Sequence, residues 1–426
     1  MFLRELGGVD HCWLNALEDF PMFVRLFSLF ALLLPFAAAA AEGDASFAVS
    51  PESAYNLIDT AIHDAHESIV LNIYMLTNRN VTNALADKAQ NENVKVTVLM
   101  EGQTFGNDLL LPVKKVLDDL QTRFTTQSQG RGRFLVMTSQ AGGKRRYVFD
   151  HAKYMVIDGK KVFVSSENIT GSAFNNKNLS GGTRGWQIYL ENAALGAQLS
   201  QIFAGDIDPQ FGDVMAYDKV NFKVTDPGNN PLPPRKIRDV PSFDMQSGRV
   251  SNASLCASPN SLDCMLNFIR GAKTELAVEH LSLPQVWVSR TGGASKPNPV
   301  VQELLAAAQR GVKVRVLLND DNAFGADNGG TSPEEKNIAT VNYLKAEAAK
   351  ARLPLDAATF NYKNVEVNYV HNKGMVADGS RVFVSSINGT ENAIMNNREV
   401  AVSVVSPDAA QYFGKVFDTD WQLSTK

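Results

Sequence analysis

Residues 151–168 read HAKYMVIDGKKVFVSSEN and residues 371–388 read HNKGMVADGSRVFVSSIN, identical at twelve of eighteen positions with a constant offset of 220. Chance does not produce such a match, so the chain is an internal duplication and its fold must be built twice. The flanks repeat more loosely. Residues 93–101 (NVKVTVLME) match 311–319 (GVKVRVLLN), and helical stretches precede them at 81–90 and 299–310. Apolar runs at 68–75 and 275–283 come earlier still. Helices are expected before those, at 51–65 and 260–272, each after a Ser-Pro pair (Ser50-Pro51, Ser258-Pro259), where proline suits a first helical turn. Each half therefore reads helix, strand, helix, strand and then the motif, which is α/β alternation. With 426 residues, 44% of them hydrophobic, the chain can bury a core for each copy. We expect two homologous repeats, each a mixed β-sheet flanked by helices, at residues 42–205 and 251–426. Residues 206–250, with the stretch PGNNPLPPRK, read as the linker.

The motif segments are strands. Asp158-Gly159 and Asp378-Gly379 each sit between β-rich runs, a strong hairpin signal. Histidine and lysine at i and i+2 then project from one strand face, an imidazole beside an ammonium. Asp158 and Asp378 fall at the turn with parity opposite to the histidine, so they read as turn or ion-pair residues. Loops are expected at 127–132, 142–144, 292–299 and 320–332, where they are suited to shaping an entrance.

One His-x-Lys is a weak signal, but two copies of His-x-Lys-x4-Asp, each followed ten residues later by the asparagine of Ser-Ser-x-Asn, are strong. The arrangement resembles the phospholipase D superfamily over roughly residues 45–426. It rests on His151, Lys153, Asp158, Ser166 and Asn168, and on His371, Lys373, Asp378, Ser386 and Asn388. The resemblance implies one active site shared by the repeats across a pseudo-twofold axis. One histidine attacks phosphorus to give a phosphohistidine, and the other protonates the leaving alcohol and then activates water. Lys153, Lys373, Asn168 and Asn388 would neutralise charge on the phosphoryl oxygens. No metal or other cofactor is implied. Asn319-Asp320-Asp321-Asn322 lacks the acidic spacing of a calcium loop and reads as a solvated loop. Family members orient each histidine with a later acidic residue. In the second half that matches Glu399, and in the first half Gln187 is expected at the corresponding place, a neutral amide behind the histidine. Family precedent favours His151 as nucleophile, while the acid expected behind His371 argues the other way.

Residues 22–43 (MFVRLFSLFALLLPFAAAAAEG) have the basic, apolar and small-residue regions of a signal peptide. Met22 is the expected true start, residues 1–41 are expected to be an extension plus signal, and the mature protein is expected in the periplasm or medium. Of three cysteines, Cys12 precedes the signal. Cys256 and Cys264 read either as a disulfide of an exported chain or as two buried thiols.

A net charge of −4 gives no sign of a nucleic-acid-binding surface. The leading expectation is an exported phosphodiesterase that acts at a phospholipid surface as a monomer, with transfer to an alcohol in the manner of cardiolipin synthases as a variant. The alternative is an exported nuclease using Lys144, Arg145, Arg146, Lys115 and Arg131. His63 and His66 read as solvated helix residues, and Glu279-His280 as core or a substrate contact. Trp186 and Trp421 read as core or rim, and Trp287, in the apolar loop LSLPQVWV, as a point of lipid contact.

Overall fold

A computed structural model describes residues 43–426 except 105–107, 176, 229–234, 289–293 and 325–331. The expected extension and signal (residues 1–41, with Met22 and Cys12) lie outside the described residues. Among the described residues, the first large sheet has the strand order Gln246–Val250, Gly43–Ser50, Gly182–Glu191, Lys161–Ser165, Lys153–Ile157, Ser68–Ile73, Lys95–Glu101, Gly132–Met137, Val214–Ala216. The second repeats this order from its own residues: Asn252–Ser258, Glu399–Val405, Arg381–Ser385, Lys373–Ala377, Glu275–His280, Lys313–Leu318, Leu355–Thr359. Both are mixed. Ser68–Ile73 runs parallel to Lys95–Glu101 and antiparallel to the motif strand Lys153–Ile157, and Glu275–His280 stands in the same relation to its neighbours.

Strand alternation explains why the motif strands are buried on both faces. Met155 and Ile157 join a core with the helices Ala54–His63, Arg79–Asn91 and Leu111–Thr126. Tyr154 and Val156 point the other way, into a core that also takes Val376, Val382, Val400 and Val402 of the second repeat. Residues i and i+1 of one strand thus serve different layers. The helices Ala193–Asp206 and Pro407–Ser424 contribute Leu199, Phe203, Phe413 and Phe417 to this shared core. Trp186 of the first repeat is fully buried and stacks on Phe413 of the second, centroids 4.7 Å apart. Two fused repeats without such a core would be free to swing; here the interface is itself a hydrophobic core.

Strand pairing also crosses between the repeats. Val367–Val370, just before His371, pairs with Gly182–Glu191 of the first repeat, and Asp150, just before His151, bridges to Arg398 of the second. The region 206–250 is not a free tether. Val214–Ala216 closes one edge of the first sheet and Gln246–Val250 the other, so backbone pairing absorbs segments whose side-chain pattern carries no strand signal. Cys256 and Cys264 are joined as a disulfide, Cα atoms 5.9 Å apart.

Candidate active site

Each motif strand starts at the carboxyl end of the parallel strand beside it. Lys153 lies opposite Ile73 and Lys373 opposite His280. Each histidine precedes its motif strand by two residues and is held by an equivalent bond from the other repeat. His151 N donates to Arg398 O and His371 N to Arg184 O, each at 2.8 Å. The pseudo-twofold relation therefore acts on the backbone atoms that carry the two imidazoles.

Each imidazole is then held from behind by a carboxylate of the opposite repeat. His151 Nδ1 is 2.9 Å from both Oε1 and Oε2 of Glu399. Glu399 is fully buried, accepts from Ser386 Oγ at 2.6 Å and from Asn397 Nδ2 at 3.0 Å, and so cannot turn away. His371 Nδ1 lies 3.2 Å from Glu167 Oε2 and 3.0 Å from Ser166 O. The carboxylates and Ser166 O accept, so Nδ1 carries the proton and Nε2 presents its lone pair; Lys373 Nζ, also near His371 Nδ1, then donates to the His371 carbonyl and not to the ring.

The ammonium groups complete the cluster. Lys153 Nζ donates to His151 O at 2.6 Å, and Lys373 Nζ lies 2.5 Å from His371 O and 3.1 Å from His371 Nδ1. Burial lowers both lysines, Lys153 to about 8 and Lys373 well below its ordinary value. Burial, then the charges of Lys153, Lys373 and His371, keeps His151 well below the usual imidazole range. Burial and Lys373 bring His371 to about 4, against the opposing pull of Glu167. The carboxylates differ. Burial pushes Glu399 up to about 7, whereas His371 and Lys373 outweigh burial at Glu167 and hold it below the carboxylate range. At neutral pH the resting site thus sets two neutral imidazoles and the Lys153 ammonium against an ionised Glu167 and a weakly acidic Glu399, while burial and the charge of Lys153 depress Lys373. Asn168 and Asn388 follow the motif strands, and no described group bonds the buried Oδ1 of either. Among the described residues no cluster of His, Cys, Asp or Glu could hold a metal ion.

Three sequence expectations need correction. Glu399 backs His151, not the histidine of its own repeat. Gln187 does not occupy the place equivalent to Glu399. Ser166 N bonds Trp186 O as Ser386 N bonds Val400 O, and Gly185 faces Ser50 as Glu399 faces Ser258. The equivalent residue is therefore Gly185, two positions earlier, while Gln187 is buried and bonds Ser50 Oγ at 3.2 Å. Trp287 is not a lipid contact. It is 5% exposed, and its indole N–H donates to Gly389 O. Sequence reasoning missed Glu167 altogether. The available signal was its mismatch with Ile387 inside an otherwise well-matched motif.

The motif aspartates sit away from the imidazoles. Asp158, at φ 51°, accepts from the backbone N–H of Glu67 and Ser68 at 2.8 Å, and Asp378, at φ 55°, does the same for Lys273 and Thr274. Ser166 and Ser386 accept from Trp186 N and Val400 N. Glu279 and His280 are buried, and the charge of Lys373 adds to burial in bringing His280 to about 3. Asn319 is buried and accepts from Val370 N, while Asp321 accepts from Asn337 N and Ile338 N at the start of the helix Asn337–Ala351. His63 is exposed. Arg145 is spent on buried Glu101 and Arg146 on buried Asp213, whereas Lys144 and Lys115 are exposed.

Comparison with protein families matches residues 58–203 and 265–421 to the model described as cardiolipin synthase, PLD-like domain. No curated protein sequence matches the chain significantly. Among solved structures, a phosphatidylserine synthase of Haemophilus influenzae Rd KW20 is 13% identical, with 91% of this chain and 89% of that one covered and a TM-score of 0.57. Nuc, a phospholipase D family member of Salmonella typhimurium, is 22% identical over 41% of this chain and 95% of its own, TM-score 0.31. At these identities the first likeness speaks for the fold alone.

Proposed function

This chain belongs to the phospholipase D superfamily, whose members are phosphodiesterases and phosphatidyltransferases, and from that premise we propose that it cleaves phospholipid head groups outside the cytoplasm through a phosphohistidine. The observation that carries the reading is the pair of imidazoles, each with Nδ1 held by a buried carboxylate of the other repeat and flanked by a buried lysine. In the first step Nε2 of one imidazole attacks phosphorus and the bond from phosphorus to the head-group oxygen breaks. The other histidine, neutral in the resting site, takes up a proton from solvent as the anionic phosphodiester binds beside it and gives that proton to the head-group oxygen. In the second step this imidazole takes a proton from water, whose oxygen displaces the first histidine and yields phosphatidic acid. An alcohol in place of water gives phosphatidyl transfer by the same motions. Lys153 and Lys373 balance charge on the phosphoryl oxygens, and the amide hydrogens of Asn168 and Asn388 donate to them.

Lipid is favoured over nucleic acid because two of the cations beside the first motif are committed to buried carboxylates. Arg145 and Arg146 cannot line a groove for a phosphate backbone without abandoning Glu101 and Asp213. The test offers the mature protein phosphatidylcholine, phosphatidylglycerol and single-stranded DNA, without added metal and with ethanol in parallel samples. Head-group release with intact DNA is expected, and phosphatidylethanol in the ethanol samples would mark transfer. DNA cleavage with intact lipid would overturn the proposal.

A further inference from the structure

We propose that Glu167 is the positioning residue for His371 and that Gly185 is the vacancy that admits it, the carboxylate having been transposed within the first repeat. In the second repeat the acid, Glu399, begins a strand and an isoleucine, Ile387, follows Ser386. In the first repeat the acid sits at the other of these two places. The acid, Glu167, follows Ser166, and the strand position equivalent to Glu399 is a glycine.

Sterics tie the two changes together. A Cβ on Gly185 would lie 2.4 Å from Glu167 Cγ and 2.7 Å from Glu167 Oε1. A side chain at 185 and the Glu167 carboxylate therefore compete for one volume. Gly185 is not among the residues with positive φ, so it meets a need for space and not for backbone freedom. The carboxylate in that volume lies 3.2 Å from His371 Nδ1, and Ser50 Oγ donates to it at 3.4 Å. Glu399 accepts from Ser386 in the corresponding way. Both repeats thus present a buried acid, from different sequence positions, to the imidazole of the other repeat. Such an acid fixes the tautomer and stabilises the imidazolium that must form in one half of the reaction.

The inference rests on the proposed reaction for its kinetic consequence but not for its structural one, and the test separates the two. Glu167→Gln keeps the shape and removes the charge. With phosphatidylglycerol as substrate, kcat is expected to fall on the order of 100-fold or more, as for other histidine-orienting carboxylates, with KM little changed. In parallel, ring-15N histidine NMR of the protein without substrate is expected to show His371 titrating at lower pH in Glu167→Gln, with His151 much less affected. The double variant Glu167→Ile, Gly185→Glu copies the second repeat and is expected to recover at least ten-fold of the lost kcat and the His371 titration. Glu167→Gln with kcat within about three-fold of wild type and an unmoved His371 titration would overturn the proposal, as would a folded double variant that recovers neither quantity. If the wild-type protein turns over no phospholipid, the proposed function fails, and the His371 titration still decides the role of Glu167.

Discussion

A buried lysine is a titrating part of a site and not only a fixed charge. Burial brings Lys153 to about 8, so it is ammonium below that pH and loses its proton above it. The expected pH–rate profile has an alkaline limb near 8, where the site loses a positive charge needed on the phosphoryl oxygens. Lys153→Arg keeps the charge, so its residual activity should lose that limb even though the guanidinium fits the site less well. A limb unchanged in Lys153→Arg would assign it to another group. Glu399→Gln is expected to slow turnover on the order of 100-fold through loss of imidazolium stabilisation at His151, read as kcat on phosphatidylglycerol. The histidines, lysines and asparagines of this site were legible in the sequence because two copies of one motif expose them. The carboxylate behind His371 was not. The motif pattern points to an acid at one place in each repeat, but the first repeat keeps its acid on the motif tail, where only the Glu167–Ile387 mismatch marks it. Nor could a linear pattern say that Glu399 serves the other repeat, because that depends on how the halves face each other.

The hairpin that carries each motif is anchored by its aspartate. Asp158 and Asp378 reach the backbone N–H groups at the start of a neighbouring strand, and both carboxyls are held below the ordinary carboxylate range, against burial, by those backbone donors. The reading of these residues from strand parity as turn residues agrees with this placement, and the Asp-Gly signal located both hairpins. Asp158→Ala is expected to destabilise the fold by roughly 2 kcal/mol, the scale of hydrogen bonds to a charged acceptor, while the folded fraction keeps near wild-type kcat. Urea unfolding and assay of the same sample check this. The sign in pH follows. A depressed folded-state value gives stability that is present above the unfolded value of about 3.9 and lost as pH falls through the folded one. The difference in stability between wild type and Asp158→Ala should therefore shrink below about pH 4. Less legible were Val214–Ala216 and Gln246–Val250, which join the first sheet from a stretch read as linker. Their place is set by backbone pairing along sheet edges, which leaves little trace in side-chain pattern.

The two repeats are locked by a pair of crossed ion bridges. Arg184 of the first repeat meets Asp420 of the second, Nε to Oδ2 at 2.7 Å, and Arg398 of the second meets Asp206 of the first, Nε to Oδ2 at 2.9 Å. Both aspartates are buried, and Arg184 is fully so. Arg184 also meets the Glu52 carboxylate at 2.7 Å, so Asp420→Ala leaves its charge paired and is expected to cost about 1.5–3 kcal/mol, the scale of hydrogen bonds to a charged group, whereas the paired replacement Arg184→Met, Asp420→Leu also takes this cation from Glu52 and is expected to cost more. Equal stability of the two variants in urea would contradict this. The same arginines supply the carbonyls that hold His371 and His151, so the interface that stabilises the fold also sets the distance between the imidazoles. Duplication was plain in the sequence, but a site formed only where the copies meet required the structure. The most direct test of that joint site is a rapid-mix, alkaline-quench experiment with phosphatidylglycerol, followed by intact-protein mass spectrometry. Wild type, His151→Ala and His371→Ala are compared. The account expects a phosphatidyl adduct on one histidine, absent when that residue is replaced and accumulating when the other is, with steady-state turnover lost in both variants. Turnover retained in either variant, or adducts on both histidines independently, would contradict a single site shared by the two repeats.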